Sequence, residues 1–242
     1  MSDKTITFTI DEVEVKASPG QTIMTAADEA GIYIPRLCSL KGLSPYGACR
    51  VCTVLVNGRP QSSCTQPAAE GLVVENATER LHDIRQDIVE MLFVEGNHFC
   101  MFCEKSGNCE LQAMGYRLGM MEPKYPRLWR PHELDASHPD VFMDRDRCIL
   151  CARCIRASRE QDGKHVLGFL GRSIHKQITP DSSDGLVQTD ATVADAAVAA
   201  CPVGCLMRKR VGFGIPIGQR KYDHKPIGSD IESGAEVPGE RK

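Results

Sequence analysis

The sequence predicts an α+β fold built from three small cysteine-bearing units and an extended tail. Apolar and threonine side chains alternate at the start of the chain, where Ile6, Phe8 and Ile10 are separated by Thr7 and Thr9, the pattern of a half-buried strand. Helical spacing dominates residues 79–94, where Leu81, Ile84, Ile88 and Leu92 share one face. Around these segments lie 12 cysteines in four groups. The groups are Cys38, Cys49, Cys52 and Cys64; Cys100, Cys103 and Cys109; Cys148, Cys151 and Cys154; and Cys201 and Cys205.

Residues 1–79 form the first expected unit. Asp11-Glu12 turns the first strand into a second through Val13 and Val15. Gly20-Gln21-Thr22 precedes a short helix with Ile23, Ala26, Ala27 and Ala30 on one side. Thr53 to Val56 is strand-like, Asn57-Gly58 is a strong hairpin turn, and Leu72 to Val74 is another short strand. Strand, strand, helix and further strands is a β-grasp-like order. Cys38 follows the helix, and Cys49 and Cys52 sit in a Gly47-containing loop. The spacing Cys38-x10-Cys49-x2-Cys52-x11-Cys64 suits a [2Fe–2S] rhomb with two thiolates on each iron, with a longer first gap than in plant-type ferredoxins. Zinc also accepts four thiolates, but zinc sites usually pair two tight Cys-x-x-Cys units and this group has one.

Residues 80–120 are expected to be a small helical unit carrying a [4Fe–4S] cluster. Thr78 is the expected N-cap of the 79–94 helix, which delivers the motif His98-x-Cys100-x2-Cys103-x5-Cys109. Three cysteines leave one iron of a cubane without a ligand. His98 is the first candidate for it, and Cys205 is the second. A three-iron cluster needs neither. An imidazole in place of a thiolate makes such a site less negative and raises its potential.

Residues 121–210 are expected to be a degenerate bacterial-ferredoxin-like [4Fe–4S] domain. A proline-rich connector with Pro123, Pro126, Pro131 and the single Trp129 leads into Cys148-x2-Cys151-x2-Cys154, completed by Cys201-Pro202. In two-cluster bacterial ferredoxins the run is C-x2-C-x2-C-x3-C-P, and the fourth cysteine serves the other cluster. Here the fourth position is Ser158. Counting back from Cys201, the matching positions are Ala191, Ala194 and Ala197. The surviving set, Cys148, Cys151, Cys154 and Cys201, holds one cubane, and Cys205 is left over as a small buried hydrophobe. Zinc is again the alternative for four thiolates.

Residues 211–242 are expected to be an extended arm lying on a partner, with the last fifteen or so residues either ordered there or disordered. Gly212-Phe213-Gly214-Ile215-Pro216-Ile217-Gly218 lacks the third glycine of a dinucleotide loop and opens no helix.

The whole chain has 242 residues, 42% hydrophobic and 25% charged, with a net charge of −3. It carries no nucleic-acid signature and no apolar run near the ~18 residues of a membrane span. The N-terminus has no signal-peptide core, so a reducing cytoplasm is expected, where structural disulfides are disfavoured. No nucleotide loop, nucleophile–base pair or open metal position is evident, so no catalytic site is expected on this chain.

The stretches Pro35-Arg36-Leu37-Cys38 and Tyr46-Gly47-Ala48-Cys49-Arg50-Val51-Cys52 resemble the N-terminal ferredoxin domain of respiratory NADH dehydrogenase and of hydrogenases. Asn97 to Gln112 resembles their motif of one histidine and three cysteines, although the family commonly has three residues between the histidine and the first cysteine and this chain has one. The order of the groups resembles the N-terminal part of the large iron–sulfur subunit of NADH dehydrogenase. A chain of this length looks most like the small iron–sulfur subunit of the diaphorase module in cytoplasmic NAD-reducing [NiFe] hydrogenases. The resemblance implies one [2Fe–2S] and two [4Fe–4S] clusters in an obligate hetero-oligomer. It implies an FMN- and NAD-binding diaphorase subunit on one side and the [NiFe] hydrogenase small and large subunits on the other. Other readings are the equivalent subunit of an NAD-linked formate dehydrogenase or NADH dehydrogenase, a free-standing ferredoxin-like carrier, and a zinc-bound scaffold.

Overall fold

The structure, a computed structural model, describes residues 5–232. Five short strands form the first sheet: β1 (Ile6–Ile10), β2 (Val13–Ala17), β3 (Thr53–Val56), β4 (Arg59–Ser62) and β5 (Val73–Glu75). Their order is β2-β1-β5-β3-β4. β1 runs parallel to β5 and the other pairs are antiparallel, a β-grasp-like connectivity. Each hairpin turns on two residues with positive φ, Asp11 and Glu12 in one and Asn57 and Gly58 in the other. That is the backbone of the tight turns that match strand twist. Helix α1 (Ile23–Glu29) starts at Thr22, whose hydroxyl accepts from Thr25 N at 3.2 Å. Its Ile23, Met24, Ala26 and Ala27 pack with Phe8, Ile10, Val15, Val54 and Val74 into one apolar core that also contains Cys52 and Cys64. Each large apolar side chain buried there contributes about 1.5–3 kcal/mol.

Helix α2 (Glu79–Val94) carries the expected cap, with the Thr78 hydroxyl accepting from Leu81 N. Its inner face differs from the expected one. The buried residues are Leu81, Arg85, Val89, Glu90 and Val94, while Ile84, Ile88 and Leu92 are half-buried. Arg85 explains the rotation: its Nη1 donates to Asn76 O at 2.8 Å. Its Nη2 donates to Thr53 O at 2.8 Å and to Asn76 Oδ1 at 2.7 Å. A guanidinium satisfied by buried carbonyls can sit where periodicity alone would place an apolar side chain. The connector then runs back along α2, with Lys124 N donating to Glu90 and Leu128 N to Val94 O.

After α3 (Glu110–Arg117), the third unit is built from two hairpin-like pairs. β6 (Val141–Met143) pairs with β9 (Leu206–Arg208), and β7 (Leu167–Leu170) with β8 (Gln177–Pro180), both antiparallel. Helices α4 (Arg153–Glu160) and α5 (Ala196–Ala199) pack against each other. The β6–β9 pairing and the bond from Asp144 N to Cys205 O at 2.7 Å bring the distant Cys201–Cys205 segment back to the Cys148 run.

The tail departs from expectation. From Lys221 onward its described part folds back on this chain, while Phe213, Ile215 and Ile217 before it are exposed. Tyr222 N donates to Gly107 O and Lys221 N to Asn108 Oδ1. Arg117 on α3 donates to Ile227 O and pairs with Glu232, and Gly228 packs against Tyr33. Residues 228–232 of the expected terminal stretch are thus tied down; residues 233–242 lie outside the described part.

Replacing Arg85 by leucine leaves the carbonyls of Thr53 and Asn76 buried and unpaired. The expected cost is about 2–4 kcal/mol, or a Tm lowered by roughly 5–15 °C for a chain of this size. A thermal melt with an unchanged midpoint would contradict the role given to Arg85.

Candidate metal centres

Cys38, Cys49, Cys52 and Cys64 come together at the edge of the first sheet. The Cys38 thiol adjoins those of Cys49 and Cys64, and the Cys52 thiol adjoins that of Cys64. Cys38 N donates to Cys49 Sγ at 3.3 Å, and the Ser62 hydroxyl lies 3.3 Å from Cys52 Sγ and 3.4 Å from Cys64 Sγ. The loop can offer its N–H groups to sulfur because it turns through Gly47 at φ +71° and Arg50 at φ +60°. A Cβ on Gly47 would stand 3.1 Å from Thr65 Cγ2, so a side chain there would be tight as well as strained. Crowding divides the protons unevenly. Contact with Cys49 and Cys64 pulls Cys38 down to about 2, while contact with Cys38 and burial push Cys49 up. Contact with Cys64 lowers Cys52 to about 6, and the same crowding raises Cys64. Four buried thiols cannot all ionise beside one another without a cation among them.

The second group lies on a turn and a helix end. Cys100 opens a single helical turn, and Cys109 is the N-cap residue of α3. Burial pushes the Cys109 thiol up to about 12, opposed by the N–H groups of Gln112 and Leu111. Burial, then the neighbouring Cys103, raises Cys100. Arg147 Nη1 donates to Cys103 Sγ at 3.6 Å, and its guanidinium pairs with Glu104 at 2.7 Å and Asp144 at 2.8 Å. A Cβ on Gly204 would stand 3.0 Å from Cys103 Sγ.

His98 is held in a defined state. Its Nε2 is buried and has no hydrogen-bond partner among the described residues. Burial, with Arg147 and Arg127 acting in the same sense, lowers its pKa to about 4, against a smaller raising effect of the Leu92 carbonyl. The ring packs edge-to-face on Phe93 at 5.5 Å. A neutral, oriented imidazole with one bare ring nitrogen is the form that ligates metals.

Cys148, Cys151, Cys154 and Cys201 make the third group. Leu150 N donates to Cys148 Sγ and Leu206 N to Cys201 Sγ, both at 3.4 Å. The run reaches this shape through Leu150 at φ +51° and Ala152 at φ +57°, left-handed positions that cost non-glycine residues roughly 1–2 kcal/mol each. Burial, then Cys201, raises the thiols of Cys151 (to about 12) and Cys154. Contact with Cys205 lowers Cys201 to about 6. Cys205, 2% exposed, faces this group: its thiol touches Cys148 and Cys201. Ser158 and the three alanines assemble no further thiol group. Ser158 Oγ donates to Lys164 O, Lys164 pairs with Asp195, and Asp162 accepts from Ala196 N and Ala197 N.

Periodicity and spacing did not single out the arginines that join these groups. Arg153 lies inside the Cys148 run, fully buried, with Nη1 on Glu110 at 2.8 Å and Nη2 on Ser39 O at 2.7 Å. Arg156, one turn later, donates to Cys38 O at 2.5 Å and to Ser44 O. Two arginines three apart beside a cysteine run, on one helix face, were the available signal. Among the described residues no three His, Cys, Asp or Glu side chains close on a point as the ligands of a single ion do.

Three thiol groups, each buried or half-buried and each met by N–H donors, define an iron–sulfur protein of the ferredoxin type. Family models agree. A 2Fe-2S iron–sulfur cluster binding domain matches residues 3–79. The NADH-ubiquinone oxidoreductase-G iron–sulfur binding region matches 85–124, and the ferredoxin-like domain of NADH-quinone oxidoreductase subunit 3 matches 138–207. The chain is 40% identical to the gamma subunit of the NAD-reducing hydrogenase HoxS of Cupriavidus necator, over 92% of this chain and 95% of that one. It is 46% identical to a chain in the crystal structure of an NAD+-reducing [NiFe]-hydrogenase in the H2-reduced state, with a TM-score of 0.89, covering 91% of this chain and 94% of that chain. The chain belongs to the family of NAD-reducing hydrogenase gamma subunits. It is also 35% identical to the alpha subunit of NADPH-Fe(3+) oxidoreductase of Geobacter sulfurreducens, of which it spans 24%.

Gly47→Ala is expected to cost about 1–2 kcal/mol through the left-handed φ alone. It should also lower the metal retained by the Cys38 group. Metal analysis and a denaturation curve on the same sample check both.

Proposed function

We propose that the chain is the electron-transfer subunit of an NAD-reducing [NiFe] hydrogenase, an oxidoreductase, and has no catalytic site of its own. It relays single electrons between an FMN- and NAD-binding diaphorase partner and the hydrogenase small and large subunits. The observation that carries this reading is the gathering of all 12 cysteines into three separate groups in a chain similar to the gamma subunit over nearly its whole length. Relatives of the NADH dehydrogenase type support the same chemistry. The subunits G of the NADH-quinone oxidoreductases of Rhizobium meliloti and Streptomyces coelicolor are 34% and 31% identical to this chain, below the 40% of the hydrogenase gamma subunit, so the hydrogenase reading is preferred.

In this reading Cys38, Cys49, Cys52 and Cys64 hold one [2Fe–2S] cluster. His98, Cys100, Cys103 and Cys109 hold a first [4Fe–4S] cluster, and Cys148, Cys151, Cys154 and Cys201 a second. Clustered thiols that resist ionising together are suited to a shared cation, and the buried, unpartnered Nε2 of His98 is the candidate for the fourth donor that three cysteines lack. Such clusters, when bound, exchange single electrons at potentials set by charge, hydrogen bonds to sulfur and exposure. The protein's part is to hold the ligands, to aim Cys38 N, Leu150 N, Leu206 N and the Arg147 guanidinium at sulfur, and to exclude water. The units are read as 1–79, 80–120, 121–210 and a tail strap.

An exposed apolar patch beside the second group supports a hetero-oligomer. Phe99 and Phe102 stack at 5.2 Å, and Met101 is 78% exposed, an unusual placement unless a partner covers it. No helix among the described residues is long and apolar enough to cross a membrane.

The reading predicts about ten irons per chain, with matching acid-labile sulfide and three EPR signals on stepwise reduction. Zinc in place of iron, or a reduced sample silent in EPR, would overturn it. His98→Cys is expected to retain a cubane with a more negative potential, because a thiolate replaces a neutral ligand. An unchanged spectrum and potential would remove His98 from the ligand set.

A further inference from the structure

Arg153 is the largest side chain among those almost wholly removed from solvent, 2% exposed. It sits between Cys151 and Cys154 in the chain, and its charge is felt by Cys151 and by Cys49. Nη2 donates to the carbonyl of Ser39, the residue after Cys38, and Nη1 to the carboxylate of Glu110, the residue after Cys109. One guanidinium therefore touches the neighbours of a ligand in each of two groups and lies inside the run of the third. Its Nε has no partner among the described residues, so its hydrogen bonding is incomplete. Glu110, whose side chain is 21% exposed, is the one carboxylate paired with it among the described residues.

We propose that Arg153 sets the reduction potentials of the Cys38 group and the Cys148 group together, with Glu110 as its counterweight. This rests on the cluster assignment above. Each cluster gains one negative charge on reduction. A fixed cation close to both, in an interior where solvent screens little, stabilises both reduced states. The carboxylate of Glu110 cancels part of that field. Arg153 is thus a positioning residue for electrons in two sites: it binds no iron and touches none of the twelve assigned ligands through its own hydrogen bonds.

Opposite charge changes separate this role from a merely structural one. In the full complex, EPR-monitored redox titration of Arg153→Met is expected to move both potentials to more negative values, with Arg153→Lys retaining part of the wild-type value. Glu110→Gln removes the counterweight and is expected to move both to more positive values. A structural role gives no reason for opposite signs. If Arg153→Met fails to retain iron, Glu110→Gln decides alone. The proposal is overturned if Glu110→Gln leaves the two potentials unchanged, lowers them or moves only one. If it is overturned in variants that keep full iron, sulfide and three EPR signals, the cluster assignment itself stands. Loss of those signals from the wild-type protein would count against the assignment itself.

Discussion

Thiols that are to hold a cluster must be presented from loops, because only irregular backbone can aim several N–H groups at sulfur. Those loops have little pairing of their own. This chain resolves the conflict with arginines whose guanidinium groups reach backbone carbonyls across unit boundaries. Arg156 on α4 holds the loop of Cys38 and Ser44, and Arg153 beside it holds Ser39 and Glu110. Arg85 on α2 holds Thr53 and Asn76 of the first unit. Arg117 on α3 holds the tail at Ile227 and Glu232. A planar guanidinium with five donors can bind two loops at once, and buried carbonyls satisfied in this way leave few broken bonds at the junctions.

The same junctions determine what surrounds the thiols. Arg147 donates to Cys103 while tied to Glu104 and Asp144. Glycine stands where neighbouring side chains come close: a Cβ at Gly204 would press on Cys103 Sγ, and one at Gly47 on Thr65 Cγ2. Leu150 and Ala152 accept left-handed backbone in the Cys148 run. Such strain persists only where the surroundings over-determine it, and here the helix α4 that follows is anchored by both of its buried arginines.

The third unit is closed over a single thiol group. Where the motif would call for a fourth cysteine, Ser158 bonds to the carbonyl of Lys164. Lys164 pairs with Asp195, and Asp162 caps the start of α5. Hydroxyl, amine and carboxylates satisfy one another there. The β6–β9 pair then fixes the Cys201 segment against the Cys148 run, with Cys205 between Cys148 and Cys201.

The sequence by itself determined the strands of the first unit, the hairpin at Asn57-Gly58, the span and cap of α2 and the grouping of the cysteines. These depend on local periodicity, turn chemistry and ligand spacing, which are legible within a few residues. It misjudged the inner face of α2, because Arg85 is satisfied only by carbonyls at Asn76 and Thr53 that lie far from it in sequence or outside its own helix. It gave Cys205 a buried place without neighbours and laid the tail on a partner, since the neighbours of Cys205 at Cys148 and those of the tail at Gly107, Arg117 and Tyr33 are remote along the chain. It also passed over Arg153, whose meaning comes from three segments meeting around one buried charge. Tertiary structure decided these points because a buried polar group is permitted only by partners that folding brings to it.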